Sequence, residues 1–367
     1  MNKKALIFGI SGQDGSYLAE HLLDLGYEVF GSVRRHSTVE NQQTRLDHIV
    51  DRITTEYCDI SDPQAVDRLV HNTQADEIYN LAAQSHVRIS ADIPYFTIQA
   101  NAVGSFNILD AIRRFSPESR FYQASSSEMF GNCMDDDKFQ RETTPMHPVS
   151  VYGITKLFSY SMTRYYRRAY KLFACNGILF NHDSKRRGSN FVTAKVAKTA
   201  VQIKLGLADK IVLGNLDSYR DFGHSSDYVK AMHLIINHTE PDDFVVSTMT
   251  THCVRDMCDY VFTKLGMNYK DYLEQDEKLL RPEELNYLRG DSTKARHVLG
   301  WKPKFTFEMI MDEMVDYWMN YYQNQSSLED LKKVYRQYMG FDYDEAINRD
   351  LNIKWYTCKF CKHRFCG

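Results

Sequence analysis

Three glycines near the start of the chain constrain its fold more than any other feature. Ala5 to Phe8 is a short apolar run. Gly9-Ile10-Ser11-Gly12-Gln13-Asp14-Gly15 follows and leads straight into a helical pattern from Ser16 to Leu25. Glycines spaced this way allow a tight strand-to-helix turn. They also let backbone N–H groups approach a pyrophosphate, which then rests on the helix N-terminus. A plain turn could use the same residues, but a position between strand and helix favours the ligand reading. Ser11, Gln13 and Asp14 share that turn and become candidate cofactor contacts.

The rest of the first half repeats the rhythm. Strand-like runs at Glu28–Val33, Ile53–Cys58, Glu77–Leu81 and Arg120–Ala124 alternate with helical stretches at Pro63–Asn72 and Pro94–Phe115. Asp62 is a ready N-cap and Pro63 suits the first helical position. This pattern predicts an α/β fold with a doubly wound parallel sheet. After about residue 180 the rhythm loosens. Helical stretches remain near 190–207, 225–238, 254–265 and 307–323, and they predict a smaller mixed substrate lobe. The expected organisation is 1–180 for the nucleotide domain, 181–323 for the substrate lobe and 324–367 for a polar, Tyr-rich tail.

Composition narrows the function classes. A net charge of -3 gives no bulk pull toward nucleic acid or a membrane surface. The apolar start ends at Gly9, too short for a signal peptide or a span, so a cytoplasmic protein is expected. Five of the eight cysteines, Cys58, Cys133, Cys175, Cys253 and Cys258, are scattered and read as buried free thiols.

The end of the second strand bears on the nucleotide. An NAD site usually carries an acid about 20 residues past the glycines. Here the segment reads Ser32-Val33-Arg34-Arg35-His36-Ser37. Two arginines and no acid suit a ribose 2′-phosphate, which points to NADP(H); a solvated basic loop is the alternative. Asp59-Ile60 and Leu81-Ala82-Ala83-Gln84-Ser85 follow the third and fourth strands, where a parallel sheet meets its ligand.

Two segments carry chemistry. Ser125-Ser126-Ser127-Glu128 lies past the fifth strand, and Tyr152-Gly153-Ile154-Thr155-Lys156 opens a helix. Four-residue spacing sets Tyr152 and Lys156 on one helical face. A nearby ammonium stabilises tyrosinate and lowers its pKa, so Tyr152 can act as a base on a hydroxyl. With 24 tyrosines in the chain the Tyr-x-x-x-Lys spacing alone is weak. Its combination with the glycine turn and the Ser-rich strand end is specific.

These residues, in this order, resemble the extended short-chain dehydrogenase/reductase family, a Rossmann-like fold, and within it the GDP-mannose 4,6-dehydratase branch. The likeness runs over about residues 3 to 320. It is carried by Gly9 to Glu20, Tyr79 to Val87, Phe121 to Ser125, Ala174 to His182, Arg186-Arg187-Gly188, Phe191-Val192-Thr193, Arg220 to His224 and Gly300-Trp301-Lys302-Pro303. The resemblance implies bound NADP(H) and a GDP-mannose substrate. It implies Tyr152 as base at the C4 hydroxyl, Glu128 as base at C5, Ser126 or Glu128 as acid at C6, and Lys156 at the nicotinamide ribose. The family's usual threonine is Ser126 here, which keeps the hydroxyl. Ser127 stands where the related glucose dehydratases have an acidic aspartate.

The same resemblance places His182 and Arg187 at the cofactor. Ser85, Asn181, Val192, Lys195, Gly214, Arg220, Arg281 and Glu284 fall at the substrate. It also implies a homo-oligomer, tetramer or dimer, through the polar segment Arg34 to Arg45. A dehydratase for another GDP-sugar such as a heptose, a 4-epimerase or reductase, and a non-catalytic NADP-binding module are the competing readings. Glu128 disfavours the epimerase, which needs no base at C5. The tail ends in Cys358, Cys361, His363 and Cys366, a cramped set that could bind zinc or simply pack; no metal is expected in the rest of the chain.

Overall fold

The computed structural model describes residues 2–34, 44–280, 283–339, 355–357 and 364–366, with side chains to residue 324. It divides into two compact units, Met1–Met314 and Val315–Gly367. The second holds the later part of a long helix and a two-stranded antiparallel pair, Trp355–Thr357 with Arg364–Cys366. Arg35, Arg281, Cys358, Cys361 and His363 lie outside the described residues, as does the side chain of Cys366. No helix among the described residues is long and apolar enough to cross a membrane.

The strands of the first unit are β1 (Lys4–Phe8), β2 (Glu28–Val33), β3 (Ile53–Tyr57), β4 (Glu77–Asn80), β5 (Arg120–Ser126), β6 (Ala174–Leu179), β7 (Asn181–Asp183), β8 (Ile211–Leu213), β9 (Tyr219–His224), β10 (Asp243–Val246), β11 (Thr251–Cys253), β12 (Leu273–Gln275) and β13 (Tyr287–Leu288). Seven make one parallel sheet in the order β10-β6-β5-β4-β1-β2-β3. The direction of winding reverses between β1 and β4, and a ligand crevice opens outside the strand ends at such a point. In β1, Ala5, Leu6, Ile7 and Phe8 are fully buried. A parallel strand covered on both faces reads as such a continuous apolar run.

The helices are α1 (Gln13–Asp24), α2 (Pro63–Thr73), α3 (Val87–Asp92), α4 (Pro94–Ile98), α5 (Gly104–Phe115), α6 (Val151–Tyr170), α7 (Val192–Lys204), α8 (Ser225–Ile236), α9 (Val254–Lys264), α10 (Thr293–Leu299) and α11, which starts at Phe307. Leu18, Ala19 and Leu22 of α1 join Met232, Ile235 and Ile236 of α8 on one face of the sheet. Val66, Leu69 and Val70 of α2 join Ile108, Leu109 and Ile112 of α5 on the other. Asp62 caps α2 as expected, accepting from Gln64 N at 3.0 Å, and Pro63 is its first residue.

Two details depart from the sequence reading. The expected helix Pro94–Phe115 is interrupted by a π-turn at Gln99–Val103. Among the scattered cysteines four are buried, but Cys133 is only half-buried. The short strands β7, β9, β11 and β13 form a second sheet that the sequence did not disclose. β7, β11 and β13 have only two or three residues each, too few to show a period.

Asp227, fully buried at the start of α8, ties the segment before α11 to this core. Its Oδ2 accepts from Lys304 N at 2.6 Å and Phe305 N at 3.0 Å, while its carbonyl accepts from the Trp301 indole at 2.9 Å. Removing the carboxylate leaves two backbone donors without their acceptor. Each costs roughly 1–3 kcal/mol, so Asp227→Ala should lose about 2–6 kcal/mol. Urea denaturation checks this: the midpoint should fall with little change in slope.

Candidate active site

The glycine turn sits where the crevice opens. Gly9 has φ 86°, and a Cβ there would stand 2.8 Å from Ala82 N, so the end of β4 passes directly over it. A Cβ on Gly15 would come within 2.7 Å of Ile10 Cα and clash with the Gly9 carbonyl. Gly12 is different. A Cβ there would meet only the Gly9 carbonyl, at 3.2 Å, and the side toward the crevice is open. Gly12 is also the N-cap of α1, with no side-chain capping bond. The first N–H groups of α1 therefore lack a side-chain acceptor at the wall of the cavity, which fits a diphosphate.

That cavity measures about 530 Å³. It is lined on the cofactor side by Gly9, Gly12, Gln13, Asp14, Gly15, Leu81, Ala83, Ser85, His182 and Arg187. Ser126, Glu128, Tyr152 and Lys156 line its middle, and Asn181, Val192, Lys195, Gly214, Arg220 and Glu284 line the remainder. Most of the residues singled out in the sequence thus meet on one surface.

The other described ones do not line it. Ser11 is exposed, and its carbonyl accepts from Arg45 at 3.3 Å. Arg45 also donates to Arg186 O at 2.9 Å, so this end of the polar segment folds onto its own chain. Arg34 is exposed and lies over Phe96 with its guanidinium carbon 5.5 Å from the ring centroid. Asp59 accepts from Ser61 N and Oγ at 2.9 and 2.7 Å. Ile60 is buried, and its carbonyl accepts from Asn107 at 2.9 Å. Ala82 closes over Gly9. Gln84 spends its side chain on the loop, accepting from His86 N at 2.6 Å and donating to Thr97 at 3.3 Å.

The reacting groups are set by local capping. Ser150 caps α6 by accepting from Gly153 N at 3.0 Å, which starts the helix just ahead of Tyr152. Ser126 ends β5 and accepts from Glu128 N at 3.2 Å, holding the turn Ser127–Phe130 that buries Glu128. Lys156 is buried and donates to Ala124 O at 2.8 Å.

The structure corrects one electrostatic expectation. The Lys156 ammonium lies 5.8 Å from the Tyr152 ring centroid and is not what holds the phenol. Burial pushes the Tyr152 pKa up to about 12; a hydrogen bond with Ser126 pulls it back, and the Glu128 carboxylate adds to the rise. Burial also takes the Lys156 ammonium down to about 8, partly offset by Asp14. The Ser126 hydroxyl favours the Tyr152 phenolate, while Lys156 gives its hydrogen bond to the Ala124 carbonyl.

Asn101 was missed. It lies in the π-turn, accepts from Gln84 N at 2.8 Å, and donates to Gln84 O at 3.0 Å and Thr155 Oγ1 at 3.1 Å. One side chain thus ties the loop after β4 to the Tyr-x-x-x-Lys helix. A π-turn is the only signal that could have marked it, and sequence periodicity does not show one. Phe191 was missed as well; the Arg187 guanidinium carbon sits 3.6 Å from its ring centroid.

At the substrate side Arg220 is buried and lies 3.5 Å from Glu284 Oε1. The N-terminus of α7 faces the same cavity. Its N-cap, Phe191, makes no side-chain capping bond, and the Thr193 hydroxyl is buried with no hydrogen-bond partner among the described residues. Two helix N-termini without side-chain caps therefore flank the Ser126–Glu128–Tyr152–Lys156 set.

Residues 6–314 match the family model for GDP-mannose 4,6 dehydratase. GDP-mannose 4,6 dehydratase 2 of Arabidopsis thaliana is 47% identical over 326 residues, 86% of each chain. The chain belongs to the GDP-mannose 4,6-dehydratase family. The Homo sapiens GDP-mannose 4,6 dehydratase is 42% identical over 339 residues, 85% of this chain and 90% of that protein. The fold is similar to that of the Thermus thermophilus UDP-glucose 4-epimerase solved with NAD. That likeness has a TM-score of 0.75 and 22% identity, and it covers 86% of this chain and 98% of the other. As a member of the family the chain is an enzyme of nucleotide-sugar chemistry on a Rossmann-like sheet.

Gly15→Ala tests the turn. The added methyl has no room against Gly9 and Ile10, so α1 must shift off its seat. NADPH affinity measured by calorimetry should fall at least about tenfold, the ratio that 1.4 kcal/mol gives.

Proposed function

We propose that this chain catalyses the redox-neutral 4,6-dehydration of GDP-mannose to GDP-4-keto-6-deoxymannose with bound NADP(H). The carrying observation is the pair of helix N-termini, α1 and α7, opening on one cavity on either side of Tyr152 and Glu128. Two polyphosphates need two such sites: one for the dinucleotide, one for the nucleoside diphosphate sugar. The relatives' names supply the sugar nucleotide, and the arginine pair Arg34-Arg35 favours NADP over NAD.

The glycine turn would hold the dinucleotide, with Lys156 at its nicotinamide ribose. When bound, the nicotinamide would supply a hydride acceptor for C4 of the sugar and the same hydride for C6, so net oxidation would be zero. Tyr152 takes the proton of the C4 hydroxyl, and the Ser126 hydroxyl steadies the tyrosinate that forms. The resulting ketone acidifies the C5 proton. Glu128, buried against the cavity, removes it. The C6 hydroxyl then leaves as water, protonated by Ser126 or Glu128 with the proton drawn from C5. Once the hydride has returned to C6, C5 takes up a proton, in net the one Tyr152 removed. Arg220 and Lys195 offer positive charge to the diphosphate, and Glu284 offers acceptors to a guanine N–H edge.

Incubation with GDP-mannose and catalytic NADP⁺ tests the reading. The product should lose one water with no net reduction of cofactor, and an unchanged sugar would sink it. Glu128→Gln separates the steps: NADPH binding should persist while water elimination drops by about 10²–10⁴-fold, the usual worth of a general base. Near-normal turnover in that variant would remove Glu128 from the mechanism.

A further inference from the structure

His182 lies in β7, at the wall of the cavity, with 12% of its side chain exposed. Both of its ring nitrogens face acceptors. Nδ1 is 2.7 Å from the Phe180 carbonyl, and Nε2 is 2.7 Å from Asp14 Oδ2. A carbonyl and a carboxylate only accept, so each nitrogen must donate, and a ring that donates from both carries a positive charge. The other Asp14 oxygen accepts from Gln13 Nε2 at 3.3 Å, the environment of an ionised carboxylate. The ring also lies nearly flat on Tyr228, with centroids 4.5 Å apart and planes at 24°, which suits a cation over an aromatic face.

Asp14 is the second residue of α1, inside the turn whose N–H groups face the cavity. An uncompensated carboxylate at that place would oppose any polyanion. We propose that the His182 imidazolium cancels the Asp14 charge within the glycine turn, so that its protonation sets how tightly that turn holds the diphosphate of the dinucleotide. The inference rests on the NADP(H) reading above and makes His182 a positioning residue that acts through Asp14.

The surrounding charges define the pH response. Burial by itself would lower the His182 pKa, but the Asp14 carboxylate and the Phe180 carbonyl outweigh it and hold it above the ordinary histidine value, against opposition from Arg187. Asp14 is likewise pushed up by burial and brought below its ordinary value by His182 and Arg187. Arg187 is itself paired with Asp183 at 2.8 Å. Tyr228 faces the ring from α8. From α6 the nearest titrating groups are Lys156 and Tyr152, both of which feel Asp14. Since the His182 pKa is raised, the positive ring persists to higher pH than that of an ordinary histidine and is lost as pH climbs past the raised value. Dinucleotide affinity should then fall. Lys156 titrates in a neighbouring range, so the wild type must be compared with a variant that keeps Lys156.

The experiment measures NADPH dissociation constants of the full chain by calorimetry from roughly pH 6 to 10, a range that brackets histidine titration. The proteins are wild type, His182→Gln, Asp14→Asn and the double variant. Near neutral pH, His182→Gln should bind about tenfold or more weakly, the ratio equivalent to one unit of pKa coupling. The ratio between the two should shrink toward one as pH rises, with the Lys156 contribution cancelling. Adding Asp14→Asn to His182→Gln should restore most of the lost affinity, because the repelling charge is gone. A purely structural histidine would give neither the closing ratio nor the rescue. NMR of isotope-labelled histidine in the wild type gives a reading that does not depend on a variant folding. An imidazolium stacked on Tyr228 should persist above neutral pH, and a neutral ring there overturns the proposal. A constant ratio or a failed rescue, with wild-type NADPH binding intact, overturns it while the NADP(H) reading stands. A wild type that binds no NADPH at any pH overturns both.

Discussion

The close approach of three backbone segments at Gly9 is the constraint on which the site depends. β1 must end, turn and start α1 within four residues, while the end of β4 passes over the turn. Only a residue without a Cβ tolerates Ala82 N at that range, and only φ near 86° sends the chain back under it. Gly15 then lets α1 lie against Ile10. The result is a helix N-terminus without a side-chain cap, aimed across the carboxyl ends of the strands. Every later element is placed against that axis: β4 and β5 deliver their loops to it, and α6 brings Tyr152 and Lys156 alongside.

Much of this was legible in the sequence because it is local or periodic. The glycine spacing, the apolar run of β1, the Asp62-Pro63 cap and the Tyr-x-x-x-Lys interval are each contained in a few consecutive residues. β1, covered on both faces, betrays itself as an unbroken apolar run, and β2 to β5 could be anticipated from the alternation of short strand-like runs with helical stretches. Reading the second half was harder for a physical reason. β7, β11 and β13 are too short for alternation to register, and their sheet exists only because distant segments meet. Asp227 is a further case. Its carboxylate serves Lys304 and Phe305, more than seventy positions away, and no local pattern announces such a partner.

The electrostatics were the least legible part. A lysine four residues from a tyrosine suggests a lowered phenol pKa, and the spacing is indeed helical. Burial, however, acts on both groups at once and in opposite senses: it raises the phenol and lowers the ammonium. Lys156 also gives its hydrogen bond to the Ala124 carbonyl. What offsets burial at the phenol is Ser126, a residue fixed by the end of β5. Sequence shows which groups are present but not the depth at which they sit, and depth decides the sign.

In a redox-neutral dehydration, hydride leaves the sugar and returns to it. Under the proposed reaction the site must therefore keep its dinucleotide through both transfers while protons come and go at Tyr152 and Glu128. Binding and chemistry use different electrostatics within one cavity. In the proposed reaction anion recognition falls to backbone N–H groups at the starts of α1 and α7, with the Asp14–His182 pair setting the charge of the α1 turn. Proton transfer in that reaction falls to side chains, and burial disfavours the charged forms of Tyr152 and Lys156. Asn101 links the two functions mechanically, since it fixes the loop after β4 and the first turn of α6 through one amide. A substitution at Asn101 would consequently disturb both cofactor loop and base without touching either ligand, which explains why a buried polar residue occupies a helix that otherwise would gain from an apolar one.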